Sequence, residues 1–273
     1  MPRHPVAELF RSGSLPPGSP TGTVTVLRDV VDPASCITAA ALRQKLEVGL
    51  LRRPYVTFRR NGHEVPAGEY TENRQCVGAT LDGFVKPAAA HALLEDGATA
   101  EFRRLADWHR PSRTLADDIR ELESVAVSVS AVLRGRHAPE LSTRPARNVA
   151  ATLMVQLYGE QHWEIGASRH ETVTLGPGDV LHLPARNSGT GSTADEASLS
   201  MAVELVVPVP DDFLAALRQH LVDTDPDLIL RYHLLPRAMR SAAVRDRLLA
   251  SVRELSDEVW QSKALARTRE RTG

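Results

Sequence analysis

The stretch "LGPGDVLHLPAR", Leu175 to Arg186, decides the fold because it joins a tight turn to a short buried strand. Gly176-Pro177-Gly178-Asp179 has the composition of a reverse turn, and the apolar run from Val180 to Leu183 holds a single imidazole, His182. Pro184 ends the run. The pattern predicts a buried strand of a β-sheet that follows directly on a turn.

The middle of the chain repeats this strand pattern on both sides of the turn. Residues 125–134, "VAVSVSAVLR", alternate. Ser128 and Ser130 lie on one face, and the other face carries Val125, Val127, Val129, Ala131 and Leu133. More short apolar segments follow between turns: "NVAATLMVQLYG", "HWEIG", "ETVTLG" and "SLSMAVELVVPV". Several short strands at this spacing predict an antiparallel roll or barrel of two sheets.

Helical patterns flank the strands and suggest three parts. Residues 1–22 are rich in Pro, Gly and Ser and are predicted to form a loose lead-in. Residues 23–210 contain the predicted strands and also N-terminal helices, one of which is predicted over residues 37–51. Residues 211–273 are predicted to be helical, and their apolar stripe is typical of a core or a dimer interface: Leu248, Leu249, Val252, Leu255, Val259 and Trp260.

Composition narrows the class of protein. The 273 residues are 42% hydrophobic, which allows a substantial core, and the net charge of −1 argues against nucleic-acid binding. The chain lacks a long apolar run and an N-terminal signal pattern, so we expect a cytoplasmic protein with no membrane contact. Cys36 and Cys76 fit reduced thiols better than a disulfide. We interpret the excess of arginine over lysine as the base composition of a GC-rich bacterial genome.

Four segments, in this order, resemble the JmjC-type cupins, and most closely the bacterial cupin-like proteins related to ribosomal oxygenases. They are "RRPYVTFRRNGHEVPAGEYT", "DGATAEFRRLADWHRPSRTLADDI", "VQLYGEQHW" and "LGPGDVLHLPAR", and the resemblance extends over roughly residues 5–208. It implies a mostly β fold, a double-stranded β-helix (jelly roll) with flanking helices, and C-terminal helices that form a homodimer. It also implies a non-haem Fe(II), 2-oxoglutarate-dependent hydroxylase that acts on a peptide or protein side chain.

The metal ligands of the family are missing from the matching positions. That chemistry uses two histidines and one carboxylate. The family places its aspartate eight residues, and its first histidine ten residues, before the glutamine that Gln156 matches, which gives Asn148 and Ala146 here. The second histidine follows five residues after the proline that matches Pro184, at Gly189. Ala146 and Gly189 offer no lone pair, and Asn148 offers only a neutral amide oxygen.

The expected contact to 2-oxoglutarate is missing as well. The family often carries a basic residue two positions before the tryptophan that Trp163 matches, and this residue is Gln161 here. An amide cannot neutralise the distal carboxylate of the cosubstrate as a cation does. We therefore expect no metal and no cosubstrate, with Fe(II) and 2-oxoglutarate as the alternative.

Other polar residues are candidates for a pocket or a rearranged ligand set. His137 and Glu140 lie just upstream of the lost motif and form a weak alternative metal pair, although a surface loop is the interpretation we favour. For His162 and His182 we favour a hydrogen-bonded structural imidazole over a place in the barrel interior. The candidate pocket consists of Ser128, Ser130, Asn148, Thr152, Gln156, His162, His182 and Ser200.

Two functions follow from these observations. The first is a JmjC-like cupin that has lost iron chemistry and binds a small molecule or peptide, or serves another enzyme as a non-catalytic partner. The second is a hydroxylase or other cupin enzyme whose ligands come from His137, Glu140, His162 and His182. A metal-free catalyst that uses the same groups belongs with the second. The first is the better prediction, since four separate substitutions remove both the metal and the cosubstrate contacts.

Overall fold

The computed structural model describes residues 4–15, 23–123, 125–136, 138, 141–143, 148–166, 171–185, 187–193, 196–224, 246, 249–250, 252–253 and 257–272. Helices and short strands alternate up to residue 122. They are α1 (Pro5–Arg11), β1 (Thr25–Leu27), a 3-10 turn (Pro33–Ser35), α2 (Ala39–Val48), β2 (Val56–Arg60), β3 (His63–Glu64), α3 (Ala67–Tyr70), β4 (Thr71–Cys76), β5 (Ala79–Val85), α4 (Pro87–Glu95), β6 (Thr99–Phe102), α5 (Leu105–Trp108) and α6 (Arg110–Leu122).

Strands dominate the following part of the chain, and two helices come after them. The strands are β7 (Ala126–Arg134), β8 (Leu141–Thr143), β9 (Val149–Tyr158), β10 (Gln161–Ile165), β11 (Glu171–Leu175), β12 (Val180–Pro184), β13 (Gly189–Ser192) and β14 (Ser198–Val206). The helices are α7 (Pro210–Thr224) and α8 (Asp257–Thr272).

The strands form two main sheets and a separate hairpin. The large sheet has the order β1-β12-β9-β14-β7-β6-β2-β3, and the small sheet has the order β11-β10-β13-β8. Strands β4 and β5 pair only with each other. The registers of the two main sheets are antiparallel wherever they are defined, for example β12 with β9 and β10 with β11. The predicted double-sheet jelly roll with flanking helices is confirmed.

An apolar core joins the two main sheets. It contains Met154, Trp163, Ile165, Val173, Leu175, Leu181 and Leu183, all buried, which come from β9 and β12 in the large sheet and from β10 and β11 in the small sheet. We call the side of each sheet that carries these residues the interior face. Because side chains alternate along a strand, every second residue of β9 and β12 belongs to this face and the others to the outer face.

The turn from Gly176 to Asp179 is stabilised by the carboxylate of Asp179. It accepts hydrogen bonds from the backbone N–H groups of Gly176 and Asp29, both at 3.0 Å, and from Arg28 Nη1 at 2.6 Å. Burial alone raises the pKa of this carboxyl, but the hydrogen bonds and the Arg28 charge outweigh burial, so its pKa lies below the ordinary 3.8. The turn is therefore tied to the segment that follows β1.

We expect Asp179→Ala to lower the free energy of unfolding by roughly 1–2 kcal/mol, because two backbone donors lose their acceptor. The stabilisation from the ionised carboxylate is present above the unfolded pKa and is lost as the pH falls through the lower folded pKa. Chemical denaturation between pH 3 and pH 7 measures both effects. A variant that loses the same stability at pH 3 as at pH 7 would contradict the role of the charge.

The first helix differs from the predicted loose lead-in. Helix α1 lies inside residues 1–22, and its Val6, Ala7, Leu9 and Phe10 are buried. The His4 side chain caps it by accepting a hydrogen bond from Val6 N, and Pro5 suits the first helical position. The apolar residues of this short segment form one buried face of a helix. The neighbouring prolines and glycines led to the prediction of a loose segment instead.

The chain divides into two compact units, the second of which consists of Ser124–Ala126 and Val206–Thr272. In the second unit α7 packs against α8, where the rings of Phe213 and Trp260 meet edge to face at 5.8 Å. Thr268 Oγ1 donates to the Asp212 carboxylate at 3.0 Å. Leu248 and Leu255 of the predicted stripe lie outside the described residues. Within the described part, no helix is long and apolar enough to span a bilayer.

Candidate functional site

The indole ring of Trp163 lies against two glycines of the neighbouring strand β13. Trp163 is fully buried, and its Cα pairs in register with that of Gly191. A Cβ atom added at Gly189 would come within 3.1 Å of Trp163 Cε3, and one added at Gly191 within 3.0 Å of Cε2 and Cζ2. A side chain at either position would displace the ring. The position expected for the second family histidine is therefore the surface on which the tryptophan packs.

The amide of Gln161 is used inside the barrel. Its Oε1 accepts a hydrogen bond from Trp163 Nε1 at 3.1 Å, and its Nε2 donates to Ser198 Oγ at 3.1 Å and to Ser200 Oγ at 3.3 Å. All four residues are buried. Both amide hydrogens and the oxygen thus have partners, as buried polar groups require. Gln161 links the small sheet to β14 at the position that in the family often binds 2-oxoglutarate.

Asn148, another family metal position, lies just before the start of β9. Asn148 is buried and immediately precedes Val149, the first residue of the strand. Ala146 lies outside the described residues, and so do His137 and Glu140 of the alternative pair. The structure therefore describes Asn148, Gly189 and Gln161. The position of the first family histidine, Ala146, is not among the described residues.

Two residues of the predicted pocket, Gln156 and Thr152, lie on β9 and differ in their surroundings. Gln156 is fully buried, and its Nε2 donates to the carbonyls of Tyr158 at 2.8 Å and Gly159 at 2.9 Å, where it holds the turn between β9 and β10. Gly159 has φ +64°, a conformation that glycine adopts without strain. Thr152 pairs with Leu183 and lies on the interior face. Gln156 thus supports the turn, while Thr152 faces the barrel.

The two histidines of the predicted pocket lie on the outer faces of their strands. His162 Nδ1 lies 2.8 Å from Thr174 Oγ1 at the protein surface, on the side opposite Trp163. His182 pairs with Leu153 and Thr25, so it points away from the interior residues on either side of it. It is 1% exposed, and neither ring nitrogen has a partner in the described structure. Burial lowers the pKa of its imidazole below the ordinary 6.5 and so favours the neutral ring.

For His162 and His182 the pocket prediction therefore needs correction, because a strand exposes alternate side chains to opposite faces and both histidines alternate with core residues. The favoured structural role fits His162, whose hydrogen bond joins β10 to β11. The unpartnered ring of His182 behaves as a neutral packing group instead.

The serines of β7 share a face with a cation at the end of the same strand. Ser128 and Ser130 are half-buried, and Arg134 follows on the same side of the strand. Arg134 Nη1 donates to the carbonyl of Gly191 in the small sheet at 2.7 Å, which identifies this side as interior. Ser200 lies in the same interior, where its Oγ accepts a hydrogen bond from Gln161 Nε2.

The residues that the structure describes do not fit an iron centre of the family type. In the described part of the chain no three histidine, cysteine, aspartate or glutamate side chains lie close enough together to bind a metal. Gly189 has no side chain, and the Trp163 ring occupies the space beside its Cα. Asn148 adds only a neutral oxygen, which by itself cannot replace the two histidines and the carboxylate.

The surroundings of Cys36 disfavour its thiolate form. Cys36 is a free, buried thiol whose pKa is raised by burial to about 11. His4 Nε2 lies 3.9 Å from its sulfur, but His4 Nδ1 accepts the Val6 N–H, so Nε2 carries the ring proton and cannot remove another one. The expectation of an inert thiol agrees with this geometry.

Comparison with solved structures finds the same architecture. The ribosomal oxygenase YcfD of Escherichia coli, in complex with cobalt and 2-oxoglutarate, superposes with a TM-score of 0.54 at 16% identity, over 88% of this chain and 64% of that chain. The chain has the JmjC-type cupin fold. A second YcfD structure matches at 0.52 and 16% identity, over 87% of this chain and 65% of that one. The JmjC-like chain thus spans less than two thirds of the length of these YcfD chains.

The sequence itself gives no further match. No protein-family model matches it, and no curated protein is similar enough to be matched. At 16% identity the structural likeness establishes the fold of this JmjC-like cupin, while its site has to be judged from its own residues.

Sequence reasoning missed two features of this interior. The first is the packing of Trp163 on Gly189 and Gly191, which the spacing G-T-G in "NSGTGS" could have suggested, since strand glycines mark a close approach. The second is Arg134, a charged residue at the end of an alternating strand, where a buried position is uncommon for arginine.

Proposed function

We propose that this JmjC-like cupin does not perform iron and 2-oxoglutarate chemistry and instead binds a ligand or a partner protein. The observation that carries the proposal is the indole of Trp163 packed on Gly189 and Gly191, with Gln161 bonded to Trp163, Ser198 and Ser200. In this arrangement tryptophan packing and an amide network occupy the positions that in the family provide a metal ligand and a cosubstrate contact.

The two changes support each other physically. A histidine at position 189 would need the space that the indole fills, and the indole N–H would lose its acceptor if Gln161 turned toward a ligand. A buried donor without a partner costs about 1–3 kcal/mol. Restoring one family residue would therefore destabilise the interior unless its neighbours changed too.

The alternative is an oxygenase or another cupin enzyme with a rearranged ligand set. The YcfD structures with cobalt and 2-oxoglutarate favour it, since they show that the fold can hold this chemistry. Of the four candidate ligands of this alternative enzyme, His162 and His182 point away from the interior. The alternative then depends on His137 and Glu140. We also propose that the protein is bacterial and cytoplasmic and that it forms homodimers through its C-terminal helices.

Metal analysis of the purified full chain tests the proposal. After anaerobic incubation with Fe(II) and gel filtration, we expect iron far below one ion per chain, and no conversion of 2-oxoglutarate to succinate above an EDTA-treated sample. E. coli YcfD, treated in the same way, serves as the positive control. Stoichiometric iron, or turnover that EDTA abolishes, would overturn the proposal. If His137→Ala and Glu140→Gln then removed the iron, they would identify the alternative site.

A further inference from the structure

The interior face of β14 carries an ionisable side chain beyond the tryptophan network. Ser198 and Ser200 of this strand bond Gln161 in the interior. Ala202 follows on the same face and packs against the apolar core. Because every second residue of a strand shares a face, Glu204 is the next residue of β14 on the interior side. Glu204 is half-buried, so its carboxyl group lies where solvent still reaches this face.

A hydroxyl group of the neighbouring strand β9 lies beside this carboxyl group. A Cβ atom added at Gly159, just after β9, would come within 2.5 Å of the carbonyl oxygen of the residue that precedes β14. The end of β9 therefore lies next to the start of β14, and the two strands run in opposite directions. Met154 and Ala202 share the apolar core. One interior position further along each strand, Thr152 and Glu204 are neighbours.

The hydroxyl groups on this face lack partners. Thr152 is 5% exposed, and its hydroxyl forms no hydrogen bond with any residue of the described ranges. Ser128 and Ser130 of β7, on the other side of β14, are half-buried on the same face and have no such partner in the described ranges either. Buried polar groups are normally hydrogen-bonded. Three hydroxyl groups on two strands are thus available to a ligand.

The Glu204 carboxylate lacks a compensating charge as well. In the part of the chain that the structure describes, it forms neither a hydrogen bond nor a salt bridge. Burial raises the pKa of Glu204, and the negative charge of Glu101 on β6 raises it further. Glu101 itself is neutralised by Arg103, whose Nη2 lies 2.8 Å from its Oε2. Glu204 is therefore a partly buried carboxylate that a bound cation would stabilise.

We propose that this face binds a small molecule through a primary ammonium group, which the Glu204 carboxylate neutralises and the hydroxyls of Thr152, Ser128 and Ser130 orient. The proposal rests on the ligand-binding role proposed above and names the chemical class of the ligand. The carboxylate on β14 stands between hydroxyls on β9 and β7, so acceptors surround one point from three adjacent strands.

The arrangement of acceptors favours an ammonium group over other cations. An ammonium is compact and directs three N–H donors outward, which suits one carboxylate and hydroxyls on both sides of it. A guanidinium is flat and binds a carboxylate through two parallel bonds in its own plane. A Ca²⁺ ion takes about six to eight oxygen ligands, usually including several carboxylates. No three histidine, cysteine, aspartate or glutamate side chains converge in this way among the described residues.

Calorimetric titration of the full chain with ethanolamine tests the proposal, in phosphate buffer that contains EDTA and no other amine. Ethylene glycol has a similar length without the charge, and methylguanidine carries the flat cation. We expect saturable binding of ethanolamine, no binding of ethylene glycol or KCl, and about tenfold weaker binding of methylguanidine. The affinity for ethanolamine should fall as NaCl is added, because salt screens a partly exposed charge.

Two variants locate the site, and a third is the matched control. Glu204→Gln keeps the shape and removes the charge, so it should weaken binding about tenfold or more. Thr152→Val keeps the shape and removes the hydroxyl, which should weaken binding about threefold. Glu164→Gln makes the first change on the exposed outer face of β10 and should leave binding unchanged. Thermal unfolding without amine shows that each variant is folded. Glu204→Gln should melt no lower than the wild type, because it removes the repulsion from Glu101.

The outcomes separate the two proposals. The absence of ethanolamine binding at tens of millimolar, or binding that folded Glu204→Gln leaves unchanged, would overturn the ammonium site. Equal binding of KCl would show a site for any small cation, and tighter binding of methylguanidine would show a different ligand class; either result would also overturn it. Iron-dependent turnover would refute only the non-catalytic function, since EDTA keeps metal out of the titration.

Discussion

Trp163→Ala is expected to lower the free energy of unfolding by about 3–5 kcal/mol. The indole is fully buried between the sheets, and its removal leaves a cavity lined by the glycines of β13. Gln161 Oε1 also loses the hydrogen bond from the indole nitrogen. Urea unfolding followed by far-UV circular dichroism measures the change.

Two further variants show which part of the effect comes from the indole. Trp163→Phe keeps a ring on Gly189 and Gly191 but has no donor for Gln161, so it should lose about half as much stability. Trp108→Ala removes a half-buried tryptophan whose Nε1 bonds the carbonyl of Arg103 near the surface, and it should cost about 1 kcal/mol. If Trp163→Ala were no more destabilising than Trp108→Ala, the packing described for β10 and β13 would be incorrect.

The tryptophan and the glycines form one packing unit. Gly189 and Gly191 are separated by a single residue, so both turn the same face toward the ring. A metal ligand at position 189 would project from that face. A side chain at position 189 and the close approach of the indole therefore exclude each other.

Periodic segments made the fold predictable. In β7 the alternation of valine and serine identified both the strand and its two faces, and in β12 the turn of Gly176 to Asp179 set the start of the strand. The resemblance to JmjC-type cupins supplied the fold class, a double-stranded β-helix, whereas the order of the strands depends on pairing over long sequence distances. Local patterns do not encode such pairing.

The site was less predictable, because it depends on which face of a strand each residue occupies. His182 sits in the apolar run of β12, where polarity does not show the interior side, and only its pairing with Leu153 places it on the outer face. The sequence identified Gln161 only as a residue at a position where the family often has a cation. Its hydrogen-bond partners Ser198 and Ser200 lie almost forty residues further along the chain. No spacing rule connects them.

Arg134→Met is expected to raise the free energy of unfolding by about 1–3 kcal/mol. A buried cation without an anionic partner destabilises the folded state, and a side chain of similar length without charge removes that cost. The lost hydrogen bond to the Gly191 carbonyl offsets about 1 kcal/mol of the gain. Thermal unfolding of the wild type and of the variant measures the change in stability.

The direction of the change decides between the two contributions of Arg134. If the hydrogen bond from Arg134 to the Gly191 carbonyl stabilised the fold more than burial of the charge destabilises it, Arg134→Met would lower the melting temperature, and the prediction would be wrong. A variant that is more stable than the wild type would mean that the buried charge destabilises the fold by more than its hydrogen bond contributes.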